Sequence, residues 1–156
     1  MRTMHEWFEL YGASHRNPLN EAVHWICVPL IVYSLVGLLS LIPVAMVPAG
    51  AASWLHPGTA LLGLGLVFFL LLSLPITAGM LVFSAVILAL VAWTNGALGN
   101  SAWAVYAAVF VGAWIGQFIG HKVEGAKPSF FDDVKFLLIG PAWLLSLAYR
   151  KLGIRF

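Results

Sequence analysis

From Trp25 to Gly120 the chain contains no Asp, Glu, Lys or Arg; all eight basic and all six acidic residues lie before or after that block. A charge near the middle of a bilayer costs at least about 2.5–3.5 kcal/mol. A block of this length without one therefore reads as membrane-embedded. The averages agree: 62% of residues are hydrophobic, 9% are charged and the mean hydropathy is +0.95, outside the range of soluble domains.

At 156 residues the chain is one domain. Breakers divide the apolar block into helices. Asn17 followed by Pro18 is a helix start, with a side-chain acceptor at the N-cap and a proline where no amide hydrogen is needed. The first span is expected over 18–42, kinked or locally unwound near Trp25 by Pro29. Pro43 and Pro48 open an uncharged loop that carries Trp54 and His56. Further spans are expected over 58–74, 76–93 and 101–120, with a tight turn at Leu74-Pro75 and a loop over Thr94–Asn100.

Residues 3–11 predict a short amphipathic helix, with Trp7, Phe8 and Leu10 toward the interface and Glu6 and Glu9 toward water. The apolar stretch 134–148 carries Lys135 and is interrupted at Gly140-Pro141, which predicts two interfacial or re-entrant half-helices. A fifth span would put Arg150, Lys151 and Arg155 across the membrane from the other basic residues, against the positive-inside rule. The expected fold is an all-α integral membrane bundle of four transmembrane helices with both termini cytoplasmic. Glu6, Glu9 and Glu21 and the long first apolar run argue against a secretory signal. The single Cys27 excludes an intrachain disulfide. A net charge of +2 without clustered Lys and Arg argues against a nucleic-acid partner.

Four spans bring distant residues to one membrane face: His24 at the start of the first, His121 at the end of the fourth, and His15 and His5 before them. His56 falls on the opposite side. Three imidazoles arriving from separate segments make a candidate metal site, His15, His24 and His121. Asn20 and Gln117 each precede a histidine by four residues, on the same helical face, where an amide can orient a ligand or a bound water. Glu124 lies on the face of Gln117 and His121. It reads as a ligand, an acceptor for His121 or a general base, or else as a surface partner of Lys127. Arg16 and Lys122 read as headgroup anchors or as holders of an amphiphile's carboxylate. Gly112, Gly116 and Gly120 repeat every four residues and predict a groove for another helix. His5 and His56 read as solvated histidines.

Tyr11, the run Ser14-His15-Arg16-Asn17-Pro18, Asn20, His24 and Pro29 resemble the N-terminal signature of a family of small membrane proteins. The run Gln117-Phe118-Ile119-Gly120-His121, then Glu124, Pro128 and Gly140-Pro141, resembles its second signature. These are the Fe(II)-dependent 2-hydroxy-fatty-acid dioxygenases of fatty acid α-oxidation and phytosphingosine breakdown. Many members read Pro-Ala where this chain has Pro128-Ser129. The resemblance covers nearly the whole chain. It implies one Fe2+ held by His15, His24 and His121, dioxygen as oxidant, a 2-hydroxy fatty acid as substrate and an acid one carbon shorter as product. Zinc competes for the same imidazoles. A small transporter would need polar groups near the midplane, which this chain lacks. A non-catalytic scaffold or lipid-binding module would not need converging imidazoles.

Overall fold

The computed structural model describes residues 2–44, 54–125 and 136–156. Every regular element among them is helical: α1 (Met4–Gly12), α2 (Pro18–Ser40), α3 (Pro57–Leu70), α4 (Leu74–Leu98), a 3-10 turn (Gly99–Ser101), α5 (Ala102–Glu124) and α6 (Ile139–Leu152). Lys127, Pro128 and Ser129 lie outside the described residues.

The helix starts follow local chemistry. Thr3 and Glu6 form a reciprocal capping box at α1; the Thr3 amide and hydroxyl hydrogen-bond the Glu6 carboxylate and hold its pKa below the ordinary value. Asn17 Oδ1 accepts from the Leu19 amide at 2.9 Å and Pro18 opens α2. The helix then runs unbroken through Pro29, so the expected unwinding near Trp25 is absent.

Several boundaries differ from expectation. The turn between α3 and α4 falls before Pro75, with Ser73 as the cap and Pro75 inside the first turn of α4. α4 continues to Leu98 through the expected Thr94–Asn100 loop, because Thr94 and Asn95 find partners on other helices. Residues 134 and 135 of the expected half-helix pair lie outside the described residues, and Gly140-Pro141 does not fall between two helices among the described ones. It sits in the first turn of one helix, α6, where proline costs no hydrogen bond. The apolar face of α1 is Met4, Phe8 and Tyr11, packed with α6, while Leu10 is exposed.

Two stretches are long and apolar enough to cross a membrane: α2, and Leu74–Glu124, which comprises α4, the 3-10 turn and α5. α3 has 14 residues, about 21 Å of helix against roughly 30 Å of hydrocarbon. Large apolar side chains point outward, Trp93 at 72% exposure and Leu64 at 71% among them.

The most extensive helix contact is between α2 and α5. It aligns the start of α2 with the end of α5. Glycines set the closeness: a methyl group on Gly116 would fall 2.6 Å from Cys27 Sγ, and one on Gly120 would strike Asn20 Oδ1. Gly112 faces open space, so two of the three expected glycines form the packing groove.

Candidate metal centre

His15 follows α1, His24 lies in the second turn of α2, and His121 lies in the last turn of α5. All three are buried, His24 at 1% exposure. Their ring centroids stand 4.2 Å apart for His15 and His24, and 5.2 Å from His121 to each of the others. One nitrogen from each ring lies within 4.8 Å of the other two.

Hydrogen bonding fixes two of the rings. His15 Nδ1 lies 2.5 Å from the Tyr11 carbonyl and His24 Nδ1 lies 2.8 Å from the Asn20 carbonyl. A carbonyl only accepts, so each Nδ1 carries the proton. The two Nε2 atoms then face each other 2.8 Å apart. Two neutral imidazoles in that arrangement repel, and a shared cation between them removes the repulsion. The arrangement matches the usual metal-ligand histidine, which donates its second ring N–H to a backbone carbonyl. Nitrogens about 2.1 Å from a first-row ion stand roughly 3 Å apart or more, a small outward shift from the observed spacing. Three imidazoles are the protein donor set of some catalytic zinc sites.

Glu124 joins the helices that carry the histidines. Its carboxylate accepts from the Arg16 amide at 2.9 Å, the Asn17 amide at 2.8 Å and Asn20 Nδ2 at 3.2 Å. A carboxylate at a helix N-terminus is favourable on electrostatic grounds as well. Asn20 is fully buried and also donates to the Ser14 carbonyl at 3.3 Å. Gln117 is buried, and its Oε1 has no hydrogen-bond partner among the described residues. It borders a cavity of about 20 Å³ together with Tyr11, His24, Val28 and Gly140, room for about one water.

Arg16 is exposed and lines an open groove with His15, Trp143 and Arg150. Lys122 is exposed and lies apart from that groove. His5 is exposed beside Phe156. His56 is not solvated. It is the buried N-cap of α3, accepting from the Thr59 amide at 3.3 Å, and burial lowers its pKa. Sequence reasoning assigned no role to the aromatic wall of the site: Tyr11 stacks on His15 at 4.2 Å and Trp143 lies 5.4 Å from it. An aromatic residue four positions before His15 was the available signal.

The model of one protein family, described as 2-hydroxy-palmitic acid dioxygenase Mpo1-like, matches residues 1–152. Searches of curated proteins and of solved structures gave no match. With nearly the whole chain matched, this protein belongs to the Mpo1-like family.

Proposed function

We propose that the protein is a multi-pass membrane dioxygenase that uses one Fe2+ to shorten 2-hydroxy fatty acids by one carbon. The observation that carries this reading is the convergence of three buried imidazoles from separate segments, His15, His24 and His121, with one nitrogen of each within 4.8 Å of the other two. His15, His24 and His121 hold the iron. Bound there, iron supplies open coordination positions and the redox chemistry that dioxygen requires.

The remaining groups bind and orient. Gln117 Oε1 accepts a hydrogen bond from a water or from the substrate's 2-hydroxyl. Glu124 and Asn20 hold the start of α2 against the end of α5 and so fix the distance between His24 and His121. Arg16, beside His15 on the open groove, steers the substrate carboxylate; Lys122 is the weaker candidate for that role. Tyr11 and Trp143 keep water from the outer side of His15.

The outward apolar surface of α2, α4 and α5 supports a bilayer around the bundle. In this reading all four helices α2–α5 cross, with the short α3 as the least deep, and both termini face the cytoplasm with every Lys and Arg.

The direct test is His121→Ala. The variant should insert into membranes as the parent does, purify without stoichiometric iron and form no shortened acid from 2-hydroxypalmitic acid. Turnover equal to the parent would refute the assignment.

A further inference from the structure

α6 separates two surfaces of different character. Trp143, Leu147 and Arg150 line the open groove with His15 and Arg16. On the other side, Leu145 and Ala148 of α6 line an apolar slot of about 150 Å³ with Trp25 and Pro29 of α2 and Met80 and Phe83 of α4. The slot is almost wholly apolar. Trp25 at its rim is exposed on the lipid-facing side, while Met80 is buried.

Between groove and slot, at the start of α6, lies Gly140, which lines the small cavity beside His24. On α2 the same order holds. His24 and Val28 line the metal-side cavity, and the next residue after each, Trp25 and Pro29, lines the slot. On α6 the neighbours Gly140 and Pro141 repeat the pattern. Slot and metal-side cavity therefore share two helical walls and sit one helical step apart on each. Gly140 packs closely on Tyr11 and Val28, since a methyl group there would fall 3.0 Å from Tyr11 Oη and 3.3 Å from Val28 Cγ1, so a tail that passes from cavity to slot must part this contact.

We infer that this slot is the subsite for the alkyl tail of the 2-hydroxy acid and that Met80, Phe83, Leu145 and Ala148 set which chain lengths are accepted. The proposal rests on the dioxygenase reading and adds the residues that grade its substrates. A polar head at the histidines and a tail laid across Val28 and Gly140 enter the slot from the membrane side without leaving an apolar environment. A volume near 150 Å³ takes about six carbons, so part of a long chain fits and the remainder extends toward lipid past Trp25.

The test is a substrate series, 2-hydroxyhexanoic to 2-hydroxypalmitic acid, on the full-length protein in bilayer nanodiscs. Ala148→Phe fills the slot and should lower the ratio of kcat/KM for the long acid to that for the short one by about tenfold. Phe83→Ala enlarges it and should move the ratio in the opposite direction. A second readout does not need turnover: 2-hydroxypalmitic acid brominated at mid-chain should quench tryptophan fluorescence saturably, with the quenching reduced in Trp25→Phe.

An unchanged ratio in both folded variants, with quenching insensitive to Trp25→Phe, would overturn the proposal and leave the slot to bulk lipid. Saturable quenching through Trp25 without shortened acid from any substrate would keep the alkyl site and overturn the dioxygenase reading instead.

Discussion

The two ends of the α2–α5 contact bury polar groups in opposite ways. At the end away from the histidines, Tyr33 Oη and Thr94 Oγ1 share a 2.7 Å hydrogen bond, and Thr94 Oγ1 donates to the Leu90 carbonyl. Tyr106 Oη lies within hydrogen-bond distance of the Val91 carbonyl and of Asn95 Oδ1, and Asn95 Nδ2 donates to Ser40 Oγ at 2.9 Å. Each of these side-chain groups finds a partner, and the network joins α2, α4 and α5. At the histidine end, the Nε2 atoms of His15 and His24 are held against each other and the Gln117 carbonyl faces a cavity. At the far end the polar groups that fasten the helices pair off within the protein. In the proposed reading the Gln117 acceptor keeps its pairing capacity for a ligand, at a cost in the protein's own stability.

Substitutions can separate the two ends. The largest effect is expected from His24→Ala: metal content falls from about one ion per chain to near zero and product formation is lost, while the protein still purifies as a folded species. Elemental analysis with product detection checks this. Glu124→Ala should come next. With the start of α2 no longer tied to the end of α5, metal affinity drops by about 10–100-fold, measurable by chelator competition.

Gln117→Leu sharpens the contrast further. Turnover should fall by about tenfold, as for other groups that support a metal site. The thermal midpoint should stay level or rise, because an unsatisfied buried acceptor is replaced by an apolar group. The smallest effect on the metal is expected from Tyr106→Phe, which should leave metal content and turnover intact and destabilise the fold by about 1 kcal/mol. Loss of metal in Tyr106→Phe would break the comparison, since the two ends would then behave as one network.

The charge-free block, the Asn17-Pro18 helix start and the convergence of His15, His24 and His121 were legible because each depends on residue type and topology. What was not legible depends on partners distant in sequence. Thr94 and Asn95 look like a polar loop until Tyr33 and Ser40 supply their bonds from α2. Glu124 reads from sequence as a ligand, an acceptor for His121, a general base or a partner of Lys127, and nothing local announces its donors among the described residues, the Arg16 and Asn17 amides and Asn20 Nδ2 at the other end of the chain. Gly140-Pro141 reads as a break, because sequence alone does not say whether a proline ends one helix or begins the next. His56 looks like a loop residue because its capping role needs the start of α3 to be known to the residue.

Both fixed imidazoles take their bearing from the main-chain oxygen four residues upstream, Tyr11 for His15 and Asn20 for His24. The coil of the chain thus helps to aim both rings, beside the Tyr11 ring stacked on His15 and the Ser14 hydroxyl near its Nδ1. A main-chain oxygen is present whatever the side chain, so this part of the rings' orientation is buffered against mutation.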